Sequence, residues 1–153
     1  MKSRRTRFAA SPELNSKKVL LIASAYKRIN RANRMGFYIE AIAIEESLIC
    51  DRLEAILSRK SIQEVEISTI GKLVIKIREN EILDHDFCDE LIIWQKNRSL
   101  IIHEMVKVTS EEPPAWSTRM QFAKKVSFEG LQLLNRLSNL EYRYSSSISE
   151  ENN

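Results

Sequence analysis

The chain has 153 residues, enough for one domain with a sizeable core. Three Gly and three Pro among many Leu, Ile, Glu, Lys and Arg argue for helices, and no apolar run reaches the roughly 18 residues a membrane span needs. Net charge is only +3, but residues 1–40 carry ten Lys/Arg against two Asp/Glu (+8) and residues 41–153 fourteen against nineteen (−5), so the basic third suits a polyanion or is a solvated positive face.

Residues 1–10, with Lys2, Arg4, Arg5 and Arg7, read as a disordered basic arm. They lack the apolar stretch of a secretion signal and are short for a transit peptide. Ser11-Pro12-Glu13 supplies an N-cap, a first-turn proline and an acid at the positive helix end. The first helix runs to about Asn33, with Val19, Leu20, Ile22, Ala23, Tyr26 and Ile29 inward. Lys17, Lys18, Lys27, Arg28, Arg31 and Arg34 decorate it, and Gly36 marks its end.

A second helix, about Phe37 to Arg59, keeps a 3.6-residue apolar period through Ile39, Ile42, Ala43, Leu48, Ile49, Leu53, Ile56 and Leu57. Glu45 and Glu46 interrupt it. They read as surface or as ion partners for Arg98, with acid–base work as the alternative. A polar connection, Ser58 to Thr69, leads to a short helix to Asn80, in which Leu73-Val74-Ile75, with its β-branched Val and Ile, also reads as a strand but has no strand to pair with. His85, between Asp84 and Asp86, reads as a capping or surface residue at the start of the fourth helix.

That helix, about Asp84 to Val108, is apolar on most of its circumference: Leu91, Ile92, Ile93, Trp94, Leu100, Ile101, Ile102, Met105, Val106. A helix apolar all round is buried on more than one side. In so small a domain the second side should face another copy, so a homodimer is predicted. Pro113-Pro114 breaks the chain next, and Trp116 packs or serves as a base-stacking platform. A last helix, about Ala115 to Tyr142, packs Met120, Phe122, Ala123, Val126, Phe128, Leu131, Leu134, Leu137 and Leu140, with Gly130 fitting a close crossing. Residues 145–153 read as a disordered tail, leaving 11–144 as the single domain. Cys50 and Cys88 have neither metal nor disulfide spacing and read as free thiols in a reducing cytoplasm.

The chemistry centres on Asn97-Arg98-Ser99-Leu100-Ile101-Ile102-His103-Glu104. On a helix Arg98 and His103 lie about 140° apart in azimuth and about 7.5 Å apart along the axis. A guanidinium is a bidentate phosphate ligand, and an imidazole exchanges protons near neutral pH. The plain alternative is that Arg98 binds Glu45 or Glu46 while His103 makes one core hydrogen bond.

Arg-x4-His late in a small all-helical chain, after a helix carrying Glu45-Glu46, resembles the HEPN superfamily. The segment Ala41 to Leu53 looks like the acidic second helix of several of its families, and the resemblance covers roughly residues 14–142. It implies an all-α, up-and-down bundle of four to five helices. It implies a metal-independent endoribonuclease with no cofactor, a toxin or phage-defence effector whose candidate partners are RNA, a second copy and an antitoxin protein. Arg98 and His103 are then the catalytic pair at a dimer cleft, leaving a 2′,3′-cyclic phosphate, with Asn97, Ser99, Glu104 and Glu46 in support. Some members are instead non-catalytic dimers that bind nucleotide, RNA or protein. One toxin branch has a modifiable tyrosine two residues after the histidine; here that position is Met105.

Overall fold

A computed structural model describes residues 12–60, 69–107 and 115–150, with side chains at all of these but Pro12, Leu14 and 141–150. The basic arm, Ser11, most of the connection before Thr69, Pro113-Pro114 and the last three residues lie outside them. Among the described residues the chain is an all-α bundle of five helices: α1 (Pro12–Met35), α2 (Tyr38–Arg59), α3 (Ile70–Glu79), α4 (His85–Glu104) and α5 (Trp116–Glu150). No helix among them is long and apolar enough to cross a membrane.

Local chemistry sets the breaks. Gly36 adopts φ +80°, the left-handed conformation that costs glycine nothing. It lets Phe37 N–H reach the Ala32 carbonyl at 2.8 Å and Gly36 N–H reach Asn33 at 3.3 Å, which closes α1 with a Schellman pair. Asp84, rather than His85, caps α4: its carboxylate accepts from Phe87 N–H at 2.8 Å. Leu73 and Val74 are helical and buried in α3. Past Tyr142 neither Gly nor Pro interrupts the chain, and α5 continues to Glu150.

α2 packs against all four other helices. It contributes Ile42, Leu48, Ile49, Leu53, Ile56 and Leu57 to a core shared with Ile29, Leu73, Ile77, Phe87, Leu91, Trp94, Ile101, Leu134 and Leu137. α1 runs antiparallel to α2, joined by Lys18–Asp51 at 3.0 Å and by Arg28–Glu40. It also runs antiparallel to α5, through Tyr26–Ser138 at 3.0 Å and Asn33–Ser127 at 2.7 Å. α4 meets a different side of α5, where Trp94 Nε1 donates to the Val126 carbonyl at 2.8 Å and Arg136 to Glu90 at 3.1 Å. α1 and α4 therefore occupy different flanks of the α2–α5 pair.

Several expected core positions, Val19 and Leu20 among them, prove exposed. Leu20, nine residues before buried Ile29, points half a turn away from it, and Val19 and Leu21 sit about 80° to either side. Only the sector around Ile29 is covered, so all three are at least 65% exposed. Ala23, Ala43 and Phe128 are likewise exposed, as is Trp116 in the first turn of α5. Gly130 holds the expected close crossing: a Cβ there would lie 2.8 Å from the Trp94 indole and collide with Glu45 Oε2.

Candidate functional site

The core-facing side of α4 is defined by Phe87, Leu91, Trp94 and Ile101. Arg98 follows Trp94 by one turn and keeps its azimuth within about 40°, so it points into the bundle. There its Nη2 donates to Glu46 Oε2 on α2. The pair is half-buried, with 21% and 26% of the two side chains exposed. Arg98 Nε is buried with no hydrogen-bond partner among the described residues.

His103 comes nine residues after Trp94 and so faces about 180° from it. It is exposed, in the last turn of α4. Between the two heads the helix surface holds Gln95, Ser99 and Ile102, all half-buried. The five-residue spacing thus divides the motif: the arginine is anchored by α2, and the imidazole is presented outward. Ser99 stands one turn before His103 on nearly the same face. Asn97 and Glu104 turn to the other side, towards α5. Asn97 lines a groove with Glu90, Ile93, Lys125 and Glu129, and Glu104 lines a separate pocket with Leu100, Arg119 and Phe122. Neither is lined by Arg98 or His103.

Arg119, which the sequence did not single out, holds the end of α4. Its guanidinium donates to the carbonyls of Glu104 at 2.6 Å, Met105 at 2.7 Å and Lys107 at 3.0 Å. These carbonyls lie at and just past the end of α4, where a cation suits the negative end of the helix dipole. The turn carrying His103 is thereby fixed to α5. Arg119 comes 15 residues after Glu104, and no local pattern marks such a cap.

The two acids on α2 part company. Glu46 reaches Arg98, whereas Glu45 is fully buried. Ser127 Oγ lies 3.1 Å from Glu45 Oε1 and 2.7 Å from Asn33 Oδ1. A hydroxyl has one proton and cannot donate to both. Ser127 Oγ therefore donates to Asn33 Oδ1 or to Glu45 Oε1, one at a time. Burial pushes the Glu45 carboxyl up to about 8, the Ser127 hydrogen bond opposing. Glu45 is therefore a neutral core group. Of the two free thiols, Cys88 is buried, which raises its pKa, and Cys50 is half-buried.

Among the described residues no group of three or more His, Cys, Asp or Glu is arranged to hold a metal. Compared with protein-family models, curated proteins and solved structures, the chain matches none of them.

Proposed function

We propose that the protein is a metal-independent endoribonuclease that acts as a homodimer, with Arg98 and His103 as its catalytic residues. The observation that carries this reading is an outward imidazole on the same helix as a guanidinium held by a carboxylate from α2. In the reaction a 2′-hydroxyl loses its proton to one His103 and attacks the adjacent phosphorus. The P–O5′ bond breaks, and the leaving oxygen takes a proton from the second copy's imidazole. The products are a 2′,3′-cyclic phosphate and a 5′-hydroxyl. Arg98 stabilises the charge that develops on the non-bridging oxygens. Glu46 occupies one of its five N–H donors and sets the plane of the fork.

Support for a second copy comes from α4 itself. Ile93 and Leu100 lie seven residues apart on one line of the helix and are 57% and 53% exposed, beside His103. A toxin or phage-defence role in the cytoplasm, with an antitoxin as inhibitor, completes the reading.

The test is incubation of wild type and His103→Ala with total RNA in EDTA, followed by end-group analysis. Cyclic-phosphate ends from wild type alone are the expected result; equal activity, or none from either, removes the proposal. A second reading, a non-catalytic helical dimer that binds nucleotide, RNA or a protein, is favoured by the existing engagement of Arg98 with Glu46. It requires that binding survive His103→Ala and that no cleavage occur.

A further inference from the structure

The cations of α1 fall into two sets. Lys17 pairs with Glu13 at 2.8 Å, Lys18 with Asp51 at 3.0 Å, and Arg28 with Glu40. Lys27, Arg31 and Arg34 are exposed, and among the described residues no carboxylate lies within ion-pair reach of them. Their spacing of four and three residues puts them within about 60° of azimuth and about 10 Å of axial rise. Like charges so placed repel one another, yet no neighbouring acid relieves them.

The stretch is also rigidly seated. Ile29, Ala32 and Asn33, on its inner face, are buried, and Ser127 of α5 bonds Asn33. Every exposed residue from Lys27 to Arg34 is Lys, Arg or Asn. A helix that lies on a lipid surface needs an apolar strip alongside its cations; the exposed apolar residues of α1, Val19, Leu20, Leu21 and Met35, lie beyond the two ends of this row and none lies within it. A polyphosphate needs only a row of cations at roughly phosphate spacing, on a firm support.

We infer that the outer face of α1, through Lys27, Arg31 and Arg34, is a second RNA-binding surface that grips the phosphate backbone without reading sequence. It lies on a different flank of the α2–α5 pair from α4. The inference takes from the preceding reading only that the partner is RNA; it does not require cleavage.

The test uses the full chain carrying His103→Ala, so that the probe stays intact. Binding of fluorescein-labelled single-stranded RNA is followed by anisotropy over a range of KCl, with and without Lys27→Gln, Arg31→Gln and Arg34→Gln together. The triple variant should melt like its parent, since all three side chains are exposed. It should bind at least about tenfold more weakly at low salt, and its log K against log salt should flatten by about 2, given roughly 0.7 per phosphate contact on single strands. Unchanged affinity and slope would overturn the inference. So would parental binding to phosphatidylserine vesicles, lost in the triple variant, with none to RNA. The two readings fail separately. Loss of binding in the triple variant, with no cleavage by wild type, sinks the nuclease and keeps the α1 surface. His103-dependent cleavage with unchanged binding does the reverse.

Discussion

Arg98 of α4 and Glu46 of α2 form a half-buried ion pair that ties these two helices together. Its strength therefore falls between that of a screened surface pair and a desolvated one. Glu46→Gln should cost about 1–2 kcal/mol in urea denaturation, and Arg98→Gln a similar amount. The double substitution should cost less than the sum, which a double-mutant cycle would measure. His103→Ala, at an exposed position, should shift stability by no more than about 0.5 kcal/mol. Loss of RNA cleavage in that variant therefore reports chemistry and not unfolding.

Glu45 makes stability depend on pH with a definite sign. Its folded pKa is about 8 and its ordinary value 4.5. Between these the unfolded chain releases the proton and the folded chain keeps it, so stability falls as pH rises through the window and levels off above it. At about 1.4 kcal/mol per unit the loss amounts to several kcal/mol. Glu45→Gln should remove this slope, leaving the variant near wild type at pH 5 and clearly more stable at pH 8.5. Parallel pH profiles of the two proteins would contradict the neutral-carboxyl account.

Gly130 has no room for a methyl group. Alanine is the better helix former by about 1 kcal/mol. Here its Cβ would enter the Trp94 indole at 2.8 Å, and both partners are locked, Trp94 by its bond to Val126 and Glu45 by Ser127. Overpacking costs typically about 1–3 kcal/mol. With the propensity gain subtracted, Gly130→Ala should cost up to about 2 kcal/mol and lower Tm by up to about 4–8 °C at 2–4 °C per kcal/mol. A Tm at or above wild type would show that the crossing relaxes.

Ile93 and Leu100 give the proposed dimer its apolar contact. Leu100→Arg should yield a monomer in sedimentation equilibrium where wild type is a dimer. Since the side chain is 53% exposed in the single chain, the monomer should keep its helical circular dichroism. A wild type that sediments as a monomer at all concentrations would remove the dimer cleft and the shared-histidine chemistry with it.

The helices were legible in the sequence because their signals are local. Apolar residues recur at 3.6 and Gly36 supplies the left-handed stop, whereas the cap of α4 fell to Asp84 and not to His85. The close crossing at Gly130 was legible too, as a residue that weakens a helix without another use. Arg98 and the acids of α2 were matched in kind, since an arginine in an apolar run needs a counter-charge. What spacing along one helix decides, the sequence decided: Arg98 and His103 are about 140° apart, whatever surrounds them.

The choice between Glu45 and Glu46 belonged to the tertiary structure. Adjacent residues on a helix point about 100° apart, so one acid met α4 and the other was driven into the α1–α5 seam. Which way α4 is rolled was also beyond the sequence, because its apolar residues nearly encircle it and its own period names no preferred face. Packing against α2 and α5 turned Trp94 and Arg98 inward, and His103 outward in consequence. The same holds for Arg119, whose bonds to the end of α4 exist only because α5 returns alongside it. Periodicity is a property of one segment, whereas burial and partnership are properties of a pair; the second helix of each pair supplied what the first could not contain.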